Sequence, residues 1–249
     1  LVGHRVTNLS RLGKRIVIAL EPDLFAVVHL MIAGRLRWRA RGAAIPGRIG
    51  LAAFDFPTGT LLVTEAGTTR RAALHVVRGA AALAALDPGG IDPLTATARG
   101  FRAALRRETH TLKRALTAPR MRSGIGTADS DEILPAARLS PFARTAVAPD
   151  AELDRLYHAT RTTLGAWIER LRAAAGDDFP ENVTAFREGM AVHGRFRRPC
   201  PACGAPIQRI RYVGHESNYC ARCQTGGRVL ADRALSRLLR EDWPRSIDE

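Results

Sequence analysis

Four cysteines carry the plainest chemistry in this 249-residue chain. Cys200-Pro-Ala-Cys203 is followed, after sixteen residues, by Cys220-Ala-Arg-Cys223, and cysteine occurs nowhere else. A C-x2-C pair on a tight turn aims two thiolates at one ion. Two such pairs at this separation have the spacing of a tetrahedral zinc site. Four thiolates leave no open position for a water, so the implied metal is structural, one Zn2+ per chain. Two disulfides would need an oxidising compartment, and nothing in the sequence points to export. A thioredoxin-like redox pair needs only one C-x-x-C, placed after a strand of a βαβ unit.

Other candidate residues depend more on context. Lysine occurs only at Lys14 and Lys113. Lys14 lies in Arg11-Leu-Gly-Lys-Arg15, just before a strand-like run, and His29 lies within the next run. The ordinary uses of such residues are a solvated strand end and a satisfied histidine. Gly124-Ile-Gly126 opens onto Thr127 and a helical stretch that holds Asp131 and Glu132. Two glycines let backbone approach a partner, and the N–H groups of a helix start attract phosphate; a plain turn is the commoner use. Arg195, Arg197 and Arg198 flank Phe196 just before the cysteines, well placed for phosphates. Arg35, Arg37 and Arg39 alternate with apolar residues, which suits a strand with one basic face; a groove for nucleic acid and a solvated sheet face are equal readings. G-x-S-x-G, Walker and H-E-x-x-H motifs are absent, and cysteine nucleophiles are excluded if the thiols hold zinc.

The elements that must position these residues fall into an order. Residues 1–80 read as β-rich, with apolar runs at 15–20, 25–32, 51–56, 60–63 and 72–77 and turn signals at Glu21-Pro-Asp-Leu24 and Pro57-Thr-Gly59. Residues 81–99, with the breaker cluster Asp87-Pro-Gly-Gly-Ile-Asp-Pro93, read as a linker. Residues 100–195 read as helical, with one helix over 101–116 and the strongest over 151–175, where Leu153, Leu156, Tyr157, Thr160, Leu164, Trp167, Ile168 and Leu171 share a face. Gly176-Asp-Asp178 is expected to end it. Residues 196–228 form the cysteine finger, with short strands at 207–212 and 215–219 and Gly214 at their turn. Residues 229–249 form a closing helix and an acidic tail.

The apolar fraction of 46% supports a real core, and the formal net charge of +14 calls for an anionic partner, nucleic acid first. No apolar run approaches a membrane span and no signal peptide opens the chain, so no membrane partner is expected and the location is expected to be cytoplasmic.

Taken in order, these pieces resemble one family. Arg11-Leu-Gly-Lys14 and His29-Leu-Met-Ile-Ala-Gly-Arg-Leu36 come first, then Gly90-Ile-Asp-Pro-Leu94 and Gly124-Ile-Gly-Thr-Ala-Asp-Ser-Asp-Glu132. His193-Gly-Arg195, Pro199-Cys-Pro-Ala-Cys-Gly204 and Tyr219-Cys-Ala-Arg-Cys-Gln224 close the series. Nearly the whole chain is similar to the formamidopyrimidine-DNA glycosylase / endonuclease VIII family of base-excision repair enzymes. The resemblance implies an α+β fold: an N-terminal β-sandwich, a central helix–two-turn–helix domain and a C-terminal β-hairpin zinc finger. It implies a bifunctional glycosylase and AP lyase that flips out an oxidised base and attacks C1′ with an N-terminal proline amine, forming a Schiff base. Carried over by position, Lys14 and His29 contact phosphates, with Lys14 also assisting chemistry. Gly124, Gly126 and Thr127 present the loop to DNA, Arg198 and His215 belong to the finger's DNA side, and Cys200, Cys203, Cys220 and Cys223 hold zinc. The implied partner is double-stranded damaged or abasic DNA, bound by a monomer at the bacterial nucleoid.

The departures are specific. The sequence as given opens at Leu1 without the family's Pro-Glu start, so the nucleophile is expected upstream of it. Thr127 stands where the family has Asn, and Asp129, where it has an aromatic, is expected to place a negative charge near a phosphate. The hairpin arginine falls near His215 or Glu216. Met31 or Ile32, and Arg70 or Arg71, are candidates for the side chains that fill the DNA void. These departures keep open a second reading, a catalytically impaired DNA-binding protein on the same scaffold. A third, an RNA- or ribosome-associated zinc protein, rests on charge and the finger alone.

Overall fold

The structure is a computed structural model that describes residues 1–120, 124–181, 183–212 and 215–248; at Tyr212, His215, Arg233 and Ala234 it describes the backbone alone. The chain forms two compact units, residues 1–88 with 171–183, and residues 89–170 with 184–249.

The first unit is built on seven strands: β1 Val6–Leu12, β2 Arg15–Leu20, β3 Leu24–His29, β4 Gly34–Arg39, β5 Gly50–Phe56, β6 Gly59–Glu65 and β7 Ala73–Arg78. They form two antiparallel sheets, in the orders β1-β2-β3-β7 and β4-β6-β5. Period-two alternation turns Ile18, Leu20, Leu24 and Ala26 toward Leu61, Leu36, Trp38, Phe54 and Phe56, which makes the sandwich core. β6, the middle strand of its sheet, is buried along its whole length. At its end Glu65 is buried too, and its carboxylate accepts the N–H groups of Arg71 and Ala72 at 3.0 Å. That contact pins the loop that carries Arg70 and Arg71. A short helix, α1 Ala80–Ala84, follows β7 and overlaps the start of the stretch expected to be a linker.

The second unit opens with α2 Ala98–Arg106, α3 Leu112–Thr117, α4 Thr127–Ala136 and the first five turns of α5 Asp150–Ala175. Phe101, Leu105, Leu112, Leu116, Ile125, Ile133, Leu134, Leu153 and Leu156 form one fully buried cluster between them. α5 ends where expected, at Gly176 with φ of +55°, a left-handed position that glycine occupies without penalty.

One expected element is corrected. The helix read over 101–116 is two helices, broken at 107–111. The Thr145 hydroxyl donates to the Glu108 carbonyl at 2.8 Å, its N–H donates to the His110 carbonyl at 2.9 Å, and Thr111 bridges to Arg144. Thr111 then caps α3 by accepting the Arg114 N–H. The break escapes periodicity because Leu105 and Leu112 stand seven residues apart, two turns, and so stay in phase.

The finger follows: β8 Gln208–Tyr212, β9 His215–Tyr219 and the short α6 Ala221–Thr225, then the closing α7 Arg233–Leu239. Val213 and Gly214, the expected hairpin turn, lie outside the described residues. Sandwich, helical body and hairpin finger together are the α+β architecture expected from sequence. Among the described residues no helix is long and apolar enough to cross a membrane.

Candidate metal centre and nucleic-acid interface

The four thiols converge. Their Sγ atoms all lie within 4.8 Å of one another, with Cys203 and Cys220 at 3.4 Å and Cys200 and Cys223 at 4.0 Å. A zinc ion with bonds of about 2.3 Å sets its sulfurs about 3.8 Å apart, so the donor set fits. None is bridged as a disulfide. The local fold explains the aim. Pro199 bridges to Pro206, the Gly204 N–H returns to the Cys200 carbonyl at 2.9 Å, and Gly204 has φ of +74°. On the second arm Cys220 caps α6, accepting the Cys223 N–H on sulfur at 3.5 Å. Burial pushes the Cys203 thiol up, but the Ala205 N–H and the three neighbouring thiols outweigh it and bring it to about 7. Val192, Ala205 and Ile207 pack around the thiols. Bound there, zinc cross-links the two arms of the finger and does no chemistry of its own.

In the first unit the structure brings Lys14 and His29 to one corner. Lys14 stands exposed in the β1–β2 turn, after Gly13. His29 ends β3, and the register that sets Ile16 opposite Val28 carries Arg15 and Lys14 toward it. Burial, then Arg15, Lys14 and His75, hold the His29 imidazole below the ordinary histidine value. Met31 and Ile32 follow in an exposed turn, Met31 with φ of +53°.

In the second unit Gly124 has φ of +100°, Ile125 is buried as an anchor, and Gly126 precedes the first turn of α4. Ser123 lies outside the described residues. Thr127 is exposed at the helix start. Asp129 does not present its charge outward as expected. Its Oδ2 accepts the Gly126 N–H at 3.1 Å, and its Oδ1 faces Arg187 at 3.5 Å. Arg187 and Arg170 also lie over the Trp167 ring, at 5.2 and 5.1 Å.

Behind this loop lies a buried polar junction that sequence reasoning missed. The Asp131 carboxylate, 1% exposed, accepts from Lys113 Nζ and the Asn218 N–H on Oδ1, and from Asn218 Nδ2 on Oδ2, with His193 Nδ1 at 2.8 Å from Oδ2. Lys113 also donates to the Thr127 carbonyl at 3.2 Å. Burial holds its ammonium below the usual lysine range, against the pull of Asp131. Glu132 next to it accepts the N–H groups of Ala191, Val192 and His193. One carboxylate pair therefore ties the loop helix α4 to α3, to the run into the finger and to β9. The sequence signal was slight: a second lone lysine, and two adjacent acids between Ser130 and Ile133 in a helix.

The finger's arginines are ordered around an aromatic. Arg209 lies 4.2 Å and Arg197 5.2 Å from the centre of the Phe196 ring. Arg198 is exposed beside them, its backbone paired with Ile207. His215 begins β9 opposite Tyr212, and its side chain lies outside the described residues. Glu216 spends its carboxylate on Arg211 at 3.1 Å and on Asn218 at 3.1 Å. Sequence reasoning missed Arg209 and Arg211, whose one signal is their alternation along β8. The row Arg35, Arg37 and Arg39 is not an open basic face: Glu181 meets Arg37 and Arg39.

Residues 198–226 match the family described as the zinc finger found in FPG and IleRS. An uncharacterized formamidopyrimidine-DNA glycosylase-like protein of Mycobacterium tuberculosis is 36% identical over 156 residues, 63% of this chain and 95% of that protein. The formamidopyrimidine-DNA glycosylase of Thermus thermophilus is 31% identical over 90% of this chain and 84% of its own length, and that of Thermomicrobium roseum 32% over 89% and 82%. A Lactococcus lactis Fpg in complex with DNA containing an abasic site superposes with a TM-score of 0.78 at 22% identity, covering 90% of this chain and 84% of that one. With relatives more than 30% identical over most of both chains and the matching zinc finger, the chain belongs to the formamidopyrimidine-DNA glycosylase family.

Proposed function

We propose that this protein is a DNA-repair glycosylase that binds damaged or abasic duplex DNA and releases oxidised bases. The observation that carries the reading is its membership of the family over 90% of the chain, finger included. Lys14 and His29 serve as phosphate contacts on the sandwich. The Gly124–Thr127 loop and the exposed arginines beside the finger serve on the second unit. The finer chemistry proposed with it is attack on C1′ by an N-terminal proline amine, a Schiff base, and strand cleavage by elimination. None of residues 1–249 is assigned to that attack; Lys14 has an assisting role only.

A second reading, DNA binding without catalysis, is favoured by one observation. Asp129 occupies the Gly126 N–H, a donor that would otherwise face a phosphate, and Thr127 stands where the family pattern has Asn. Borohydride trapping separates the two. Protein purified with its native N-terminus is incubated with a duplex containing one abasic site, then reduced. A covalent adduct is the expected outcome. Tight duplex binding with no adduct would transfer the protein to the second reading, and failure to bind duplex at all would overturn both.

A further inference from the structure

β4 is an edge strand, and its outer side holds more donors than one carboxylate needs. Arg39 donates through both Nη atoms to Glu181, Nη2 at 2.9 Å from Oε2. Arg37 Nη1 lies 3.4 Å from the same Oε2, and the Trp38 N–H donates to Oε1 at 3.3 Å. Glu181 thus brings one negative charge to two guanidinium groups and a backbone N–H. The compensation is incomplete. Arg37 Nε is buried with no partner among the described residues, a donor still without an acceptor. All of these groups belong to the first unit.

Such a donor set, a bidentate guanidinium fork with a second arginine and an edge N–H, matches the several oxygens of a phosphate better than the two of a carboxylate. The segment that supplies Glu181 is held there lightly. Besides the ion pairs, Phe179 stacks on Trp38 with ring centres 6.4 Å apart, and both Phe179 and Val183 remain exposed. An exposed ion pair of this kind is weakened by salt and by any competing anion.

We propose that Arg37, Arg39 and the Trp38 N–H form a subsite for a phosphate of duplex DNA, and that Glu181 fills it in the free protein as an internal phosphate mimic. The proposal rests on the DNA-binding reading above and adds to it a contact that Glu181 withholds while it occupies the subsite. While Glu181 holds the subsite that contact is not made, so the device lowers duplex affinity.

The test is duplex binding by fluorescence anisotropy over a salt series, with the full chain, its Glu181→Gln variant and a Glu181→Gln/Arg39→Gln double variant. Glutamine keeps an acceptor for the Trp38 N–H and loses the charge. Freed of its competitor, the subsite adds about one phosphate contact. The log K against log salt slope of Glu181→Gln therefore steepens by about 0.9, and its affinity advantage over the parent grows about eightfold between 1 M and 0.1 M salt. The double variant returns to the parent slope. A Glu181→Gln slope equal to the parent's overturns the subsite, as does a gain that survives loss of Arg39. If the parent does not bind duplex but Glu181→Gln does, the function reading fails while the subsite stands; if neither binds, both fall.

Discussion

A residue's type is legible in a sequence, but its partner is not, and the site shows both sides of this. The four cysteines announced a metal because the thiolate and its spacing define the chemistry without any neighbour. His29 was readable only as a histidine on a strand. The structure adds its company: burial first, then Arg15, Lys14 and His75, all pushing toward the neutral ring. That has a consequence for DNA binding. A phosphate placed at this corner favours the imidazolium, so binding raises the pKa that the free protein depresses. Proton uptake then accompanies binding, and affinity rises as pH falls from the bound value toward the free one, by at most about one decade per pH unit for a single proton. Duplex affinity measured from pH 8 to pH 5.5 should show this rise, and His29→Gln should flatten it. Identical pH profiles for the two proteins would remove His29 from the interface. Asp129 makes the same point in the other direction. Its position suggested a charge facing a phosphate, whereas the carboxylate turns back to Gly126, three residues away, a local contact that the Gly-x-x-Asp spacing already contained.

At the scale of elements, the strands were readable because alternation and turn residues agreed along residues 15–78. The split between α2 and α3 was not, because its cause, Thr145, lies 37 residues from Glu108. The Asp131 junction was hidden for the same reason, with His193 62 and Asn218 87 residues away. Its energetic weight is testable. Lys113 and Asp131 are 4% and 1% exposed, and a buried charge whose partner is removed costs about 3–5 kcal/mol. Asp131→Ala should therefore lower stability by about that amount in urea unfolding. Lys113→Met in the same background should recover part of the loss, because it removes the stranded ammonium. A cost of less than about 1 kcal/mol for Asp131→Ala would show that the junction is not a structural tie. Glu132 beside it gives an internal comparison. Its carboxylate is held by three backbone N–H groups and acts on Lys113 more weakly than Asp131 does, so Glu132→Gln should be the milder change.

For the whole molecule, the sequence was informative about order and charge, and silent about which core supports which part. The structure resolves that. The helical cluster from Phe101 to Leu156 and the sandwich cluster around Ile18 and Leu61 are each built without a residue of the finger. The finger's own apolar groups are few: Val192, Ala205 and Ile207 around the thiols, and Ile210, Tyr219, Ala221 and Leu230 beyond them. A core so small does not order a chain unaided, and a structural metal commonly supplies the rest. Zinc loss should therefore act on one part of the molecule only. A chelator is expected to release about one ion per chain, as the coordinating thiolates take up protons. Amide exchange should then lose protection at Ile210 and Tyr219, while Val17, Val27 and Leu62 in the sandwich and Leu105 and Leu153 in the helical body keep theirs. Arg198, Arg209 and Arg211 are held by the finger's own backbone, so duplex affinity should fall with the same metal dependence. Full affinity after zinc loss would place the finger outside the binding surface. Loss of sandwich protection in step with the hairpin would mean that the two units fold as one, which the separate cores argue against.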